Sequence, residues 1–292
     1  MSRYSSSLLL LALLCLSSCT SVFLQPDHVL YFPPEKFGYH AEEVQIPSGD
    51  GTKLTAWHFP CFPCQKPKGT IVQLHGNAEN ISSHYMSLAW ITRYGYDLWI
   101  GDYRGYGGSE GSPDIHGSVE DTKAIIRQAL ASHIEQASPK FIVYAQSLGG
   151  AFAMRALEEM DERSQVDFLV LDSTFASYQK MASGKLSDHV LTWLFTPLAY
   201  VLVSDRNAPK ENLALLTMPK LQIHDKGDAV VEFRNGQSLY DALPEPKEFW
   251  ELDKGRHVGI FAVDTIENRK GFLTRLDKAF GFTESGLTEP AH

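Results

Sequence analysis

The sequence predicts an α/β fold: a mainly parallel central sheet with helices on both faces, an N-terminal antiparallel hairpin and a small helical lid. Three observations predict it. From about residue 70 to 280, short apolar runs alternate with stretches of helical periodicity. Such alternation specifies parallel strands covered by helices. Upstream, two strand-like runs, Glu43-Val44-Gln45-Ile46 and Leu54-Thr55-Ala56-Trp57-His58-Phe59, flank the turn Ser48-Gly49-Asp50-Gly51 and make the hairpin. Finally, 292 residues that are 43% hydrophobic and 21% charged are enough for one large packed domain.

The chain opens with a segment that does not belong to this fold. Arg3 is the only charge before Asp27, and the apolar run Leu8 to Leu16 follows it. That run is shorter than the roughly 20 residues a membrane-spanning helix needs. With the small residues after it, it has the layout of an export signal over residues 1–18. Leu16-Ser17-Ser18-Cys19 resembles a bacterial lipobox, which would make Cys19 the lipidated first residue of the exported protein. Thr20 then favours the outer over the inner membrane. Residues 19–40 read as the lipidated cysteine and a loose tether, 41–282 as the folded domain, and 283–292 as a polar tail. In an oxidising envelope Cys61-Phe62-Pro63-Cys64 reads as a local disulfide, with free thiols or a redox or metal site as alternatives.

The alternating region runs in order. Thr70 to Leu74 is a strand, about 82 to 94 a helix, and Asp97 to Ile100 a strand. A glycine-rich loop from Tyr103 to Pro113 leads to a helix over about 118 to 136, with Ser118 and Asp121 in the pattern of a cap. Phe141 to Tyr144 is a strand, Leu148 to Met160 a helix, and Phe168 to Leu171 a strand. The lid follows, over about 174–217, with Pro197 interrupting an apolar stretch. Strands at Leu221 to Ile223 and Glu248 to Leu252, and a closing helix over about 268 to 280, complete the domain.

Chemistry concentrates at Ala145-Gln146-Ser147-Leu148-Gly149. A strand runs directly into Ser147 and a helix leaves directly from it, the context that a nucleophile elbow requires. The elbow needs small residues two places to either side, and Ala145 and Gly149 supply them. The literal G-x-S-x-G at Gly107-Gly108-Ser109-Glu110-Gly111 lacks that context and reads as a turn. A serine hydroxyl attacks only with an imidazole base beside it. At such an elbow the acid and then the base come from later strands. Four histidines follow Ser147: His189, His224, His257 and His292. Only His257 lies in a loop just past the last strand. Asp228, after the penultimate strand, is the acid, with Asp225 as rival and Asp172 as a third candidate. The oxyanion of an acyl-transfer intermediate needs two N–H donors, and the backbones of Leu148 and Asn77 are placed to provide them. His75 precedes the nucleophile and reads as structural.

In this order, His75-Gly76-Asn77-Ala78, Asp102-Tyr103-Arg104-Gly105-Tyr106-Gly107-Gly108-Ser109, the Ser147 elbow and His224 to Val231 resemble the α/β-hydrolase superfamily. The resemblance is to its small serine hydrolases of the alpha/beta hydrolase domain-containing type, which include serine aminopeptidase-like and lysophospholipase-like proteins. It covers about Glu43 to Phe280. Ala145, Asp225 and Arg256 depart from the family pattern. The resemblance implies a Ser147, Asp228 and His257 triad that cleaves an ester, thioester or amide. It implies no metal and no organic cofactor.

The expected partners are a small-molecule or lipid-like ester and, through a lipid anchor, a membrane. The formal charge of −9 argues against nucleic acid. The competing readings are a non-catalytic envelope binding protein on the same fold, an acyltransferase or peptidase variant of the same triad chemistry, and a Cys61/Cys64 redox protein.

Overall fold

The computed structural model describes residues 24–187, 196–209, 213–254, 256–262 and 265–282. The expected export signal at 1–18, the expected lipidation residue Cys19, His189, His292 and the tail at 283–292 lie outside the described residues.

Eight strands form one sheet: β1 (Glu42–Pro47), β2 (Lys53–Phe59), β3 (Gly69–Leu74), β4 (Tyr96–Gly101), β5 (Phe141–Gln146), β6 (Phe168–Asp172), β7 (Lys220–Asp225) and β8 (Lys247–Leu252). Their spatial order is β1-β2-β4-β3-β5-β6-β7-β8. β1 and β2 pair as the expected hairpin, with Val44 opposite Ala56. β2 also runs antiparallel to β4. Every later pair is parallel. β3 to β7 are buried along their whole length, as strands covered on both faces must be, and most are dominated by apolar residues, although β3 carries Gln73 and β7 carries Lys220, Gln222, His224 and Asp225.

The helices are α1 (Ile81–His84), α2 (Ile115–Glu135), α3 (Leu148–Glu159), α4 (Tyr178–Ser187), α5 (Thr196–Leu202), α6 (Phe233–Ala242) and α7 (Thr265–Phe280). One core cluster joins the sheet to α2 and α3 through Val119, Ile126, Phe152 and Leu157. On the other face, Phe272, Leu273 and Leu276 of α7 pack with Trp90 and Phe261.

Three expectations are corrected. The helix over 82 to 94 is broken: α1 is one turn, and 3₁₀ turns at Tyr85–Ser87 and Ala89–Tyr94 follow it. Tyr85, Leu88, Ala89, Trp90 and Ile91 are all buried, so packing rather than an amphipathic stripe shapes this stretch. The cap of α2 is Asp114, whose carboxylate accepts the Gly117 N–H at 2.8 Å; Ser118 is buried inside the helix. Asp121 is engaged elsewhere. Its carboxylate takes the Arg104 guanidinium at 2.9 and 2.7 Å and the Ser48 hydroxyl at 2.6 Å.

The segment read as a loose tether is docked from Leu24 onward. The Gln25 N–H donates to Asn77 Oδ1 at 2.9 Å, and the Gly107 N–H donates to the Asp27 carbonyl at 2.8 Å. Asn80 Nδ2 donates to Asp27 Oδ1 at 2.9 Å and to the Val29 carbonyl at 2.8 Å. Tyr31 N–H donates to Ser82 Oγ at 2.9 Å. The segment is therefore a strap laid across the loop that follows β3.

Cys61 and Cys64 are paired as a disulfide, with Cα atoms 5.7 Å apart. They follow β2, whose last residue Phe59 lies opposite Leu98 near the start of β4. This is the edge of the sheet where the parallel strands begin.

Candidate active site

The site lies at the opposite edge, where β3, β5, β6, β7 and β8 end. Open α/β sheets expose loops and helix N-termini there, and ligands bind in that crevice. Ser147 follows the last residue of β5 and sits at φ 50°, ψ −120°, immediately before α3. A non-glycine residue held at such angles costs about 1–3 kcal/mol and persists only where its surroundings enforce it. Here they do. The Ser147 N–H donates to the Asp172 carbonyl at 2.8 Å, and its own carbonyl accepts the Thr174 hydroxyl at 2.6 Å. Ala145 lies within the strand, paired with Leu74 and Leu171, so the methyl group causes no conflict.

The structure brings Ser147, His257 and Asp228 into one row. His257 Nε2 lies 2.9 Å from Ser147 Oγ, and His257 Nδ1 lies 2.8 Å from Asp228 Oδ2. Both contacts are within the reach a nucleophile, base and orienting acid require. Ser147 and Asp228 are buried, whereas the His257 side chain is 18% exposed. Asp228 Oδ1 accepts the N–H groups of Val230 and Val231 at 2.8 and 2.9 Å. Burial works to raise the Asp228 carboxyl. The hydrogen bond and charge of His257, with those two N–H groups, outweigh it and hold the carboxyl below its usual range. A carboxylate that stays ionised beside the imidazole fixes its tautomer and stabilises the imidazolium.

The two rival acids have other partners. Asp225 accepts the N–H groups of Gly227 and Lys254, each at 2.8 Å, and so shapes the turns after β7 and β8. Asp172 accepts the Tyr144 hydroxyl at 2.9 Å and Gln146 Nε2 at 3.2 Å. Burial raises its carboxyl despite those bonds.

The oxyanion candidates flank Ser147. Leu148 opens α3, where unpaired N–H groups and the positive end of the helix dipole gather. Asn77 lies in the loop after β3. Its side chain is tied down, accepting the Gln25 N–H and the Tyr106 hydroxyl, each at 2.9 Å, which orients the residue whose backbone N–H is the candidate donor. The next two residues, Ala78 and Glu79, take φ values of 61° and 54°, so the loop turns in a conformation few sequences tolerate. A Cβ on Gly76 would lie 3.3 Å from the Ser147 Cβ, which shows how closely this loop abuts the elbow.

His75 is fully buried, with Nδ1 2.8 Å from the Gly76 carbonyl and its ring stacked on His84 at 5.1 Å. Burial, then the neighbouring His84, push its pKa well below the usual histidine value. Ser109 is a turn residue: its hydroxyl donates to the Asp102 carbonyl at 2.8 Å and accepts the Thr55 N–H at 2.9 Å.

Four residues that sequence reasoning passed over support the site. His224, rejected as a base, is fully buried and donates from Nε2 to the Val231 carbonyl at 2.8 Å, which braces the turn carrying Asp228. Ser173 at φ 54° accepts the Val258 N–H at 3.2 Å, which ties the His257 loop to the end of β6. Thr174 holds the Ser147 carbonyl, and Gln25 holds Asn77. Ser173 and Thr174 directly follow a parallel strand, and that position was a readable signal.

The lid holds α4 and α5, and a cavity of about 320 Å³ between the lid and α6 is walled by residues including Lys180, Tyr200, Asp205, Leu213 and Asn235, but by none of Ser147, Asp228 and His257. Among the described residues no cluster of His, Cys, Asp or Glu is arranged to hold a metal ion, and no helix is long and apolar enough to cross a membrane.

A family model described as Serine aminopeptidase, S33, matches residues 65–211. The chain is 30% identical over 243 residues to protein YfhR of Escherichia coli (strain K12), covering 82% of this chain and 80% of that one. It is 28% identical over 235 residues to lysophosphatidylserine lipase ABHD12 of Danio rerio, covering 75% and 59%. Among solved structures, the Pyrococcus furiosus esterase Pf2001 is similar with a TM-score of 0.66 over 89% of this chain and 97% of that one, at 21% identity, a likeness of fold.

Proposed function

The chain belongs to the serine aminopeptidase S33 family of α/β-hydrolases, and from that premise we propose that it is a serine hydrolase that cleaves a carboxylic ester through an acyl-enzyme on Ser147. The observation that carries this reading is the row Ser147, His257, Asp228, with contacts of 2.9 and 2.8 Å on a strained elbow. His257 Nε2 takes the proton as Ser147 Oγ attacks the acyl carbon. The N–H groups of Leu148 and Asn77 receive the oxyanion. His257 returns the proton to the leaving alcohol, and Asp228 stabilises the imidazolium meanwhile. Water activated by the same imidazole then releases the acid.

An ester rather than an amide is favoured by relatives named as an esterase and a lysophosphatidylserine lipase. The name of the family model favours an aminopeptidase. A p-nitrophenyl acyl ester series beside aminoacyl amides separates the two. A fluorophosphonate probe should label the protein, and Ser147→Ala should abolish labelling. Persistent labelling of that variant would exclude Ser147 as nucleophile.

The proposal includes export and lipidation at Cys19, on the strength of Leu16-Ser17-Ser18-Cys19 directly after the apolar run. Thr20 favours the outer membrane. Metabolic labelling with a fatty-acid analogue should mark the wild type and fail for Cys19→Ala.

A further inference from the structure

We infer that the exposed apolar side chains of the strap, Leu30 and Phe32 with Phe37 beside them, rest on the phospholipid bilayer to which Cys19 is attached. This holds the mouth of the site against that surface. The inference deepens the lipid-anchored reading and rests on it.

The chain itself limits the distance. Leu24 is buried and the strap is hydrogen-bonded from Gln25 onward. Only five residue steps separate Cys19 from Leu24. At full extension they span at most about 17 Å. A lipidated Cys19 would therefore keep Leu24, where the strap begins, within about 17 Å of the membrane surface.

The strap presents the side chains such a surface needs. Val29, Leu30, Phe32 and Phe37 are 55%, 60%, 41% and 41% exposed. They account for four of the twelve large apolar side chains exposed among the described residues. Phe32 and Phe37 meet edge to face at 5.6 Å, so they form a joint patch rather than isolated side chains. The backbone that carries them is pinned by Asn80 and Ser82, which leaves the patch rigid and unable to fold back onto the core. Residues 24–37 contain Asp27, Glu35 and a single cation, Lys36, so the contact is apolar rather than electrostatic.

The patch also adjoins the chemistry. Val29 and Leu30 line one cleft with Asn80, Ile81 and Asp102. Gln25 of the same strap holds Asn77, next to Gly76, which abuts Ser147. The strap thereby joins the apolar patch to the loop that carries the candidate oxyanion donor Asn77. The substrate class this selects is a membrane-resident acyl ester.

The test uses the full lipidated protein in phosphatidylethanolamine/phosphatidylglycerol vesicles. A nitroxide on Leu30→Cys should collide with lipid-dissolved oxygen at least threefold more, relative to an aqueous nickel chelate, than one on Lys278→Cys of α7. Leu30→Ser combined with Phe32→Ser should cut hydrolysis of a long-chain ester in those vesicles at least fivefold. Turnover of soluble p-nitrophenyl acetate should stay within twofold. Equal water access at positions 30 and 278, shielding of position 30 from both oxygen and nickel by a protein contact, or unchanged hydrolysis of the embedded ester overturns the inference. Absence of fatty-acid labelling on the wild type also overturns it. If the hydrolase reading alone is wrong, fluorophosphonate labelling fails while the nitroxide result stands.

Discussion

Gly149, in the first turn of α3, packs directly on the carbonyl oxygen of His75, and no methyl group fits between them. The helix behind the nucleophile and the loop carrying Asn77 are thus in backbone contact, so the two candidate oxyanion donors are held as one unit. Gly149→Ala must push them apart. Overpacking of this kind costs about 1–3 kcal/mol of stability. Displacing one oxyanion donor costs on the order of 100-fold in turnover. Ester kinetics and thermal melts on the variant should show both losses, with kcat falling far more than KM rises.

The competition among the three aspartates can be decided by amide substitution. Asp228→Asn should lower kcat/KM by on the order of 10⁴, because the amide can hold His257 in the wrong tautomer. Asp225→Asn keeps an oxygen for only one of the Gly227 and Lys254 N–H groups, which the carboxylate accepts on separate oxygens, but it removes neither contact of His257 with Ser147 and Asp228. Its kcat/KM should stay within about tenfold of wild type. A reversal of that ranking would move the acid to Asp225.

Burial pushes the Asp102 carboxyl up to about 7. The unfolded chain would titrate it near the ordinary value of about 4. The folded form therefore holds a proton that the unfolded form has lost across that window. This contribution to stability is full below about pH 4 and is lost as pH rises through about 7. Asp102→Asn removes the dependence while keeping an oxygen for the Ile81 N–H, which Asp102 Oδ1 accepts at 2.9 Å. In paired thermal melts, the variant should gain on wild type steadily from pH 4 to pH 8.

Arg104 links the glycine-rich loop to α2 through Asp121, whose side chain is wholly buried. Arg104→Ala leaves that carboxylate without its cation, a loss of about 3–5 kcal/mol. For a domain of this size the melting temperature should fall by roughly 10 °C. Turnover well below the melt should change little, since Arg104 touches none of the Ser147, Asp228 and His257 row.

The Cys61–Cys64 pair sits where the parallel strands begin, across the sheet from Ser147. Replacing both with Ser should leave ester turnover within about twofold, because the loop shares no contact with the elbow. Loss of hydrolysis in that variant would tie the two edges together.

What was legible in the sequence followed from burial and chain order. Strands buried on both faces carry apolar residues at their centres, so β3 to β7 could be placed within a residue or two, even where β7 mixes in Gln222 and His224. The row Ser147, Asp228, His257 was readable because each residue directly follows or closely trails a strand that could be identified. What escaped depended on partners distant in the chain. Ser118 and Asp121 fit a local capping pattern, yet Asp121 is drawn to Arg104, 17 positions away. The strap docks its backbone N–H and carbonyl groups onto the side chains of Asn77, Asn80 and Ser82, and such bonds leave no hydropathy period to detect. Likewise, the supporting role of Ser173 arises from one N–H of Val258 in a loop 85 positions later.

The strap sets a practical boundary for anyone who wants to produce the protein without the proposed lipid anchor. A version begun near residue 41, where β1 starts, would look complete by its sheet. It would nonetheless lack the Gln25 contact on Asn77 and the Asp27 contacts on Asn80 and Gly107. A shortened chain that keeps these contacts has to start upstream of Leu24, and one that also omits Cys19 has to begin in the short stretch between the two.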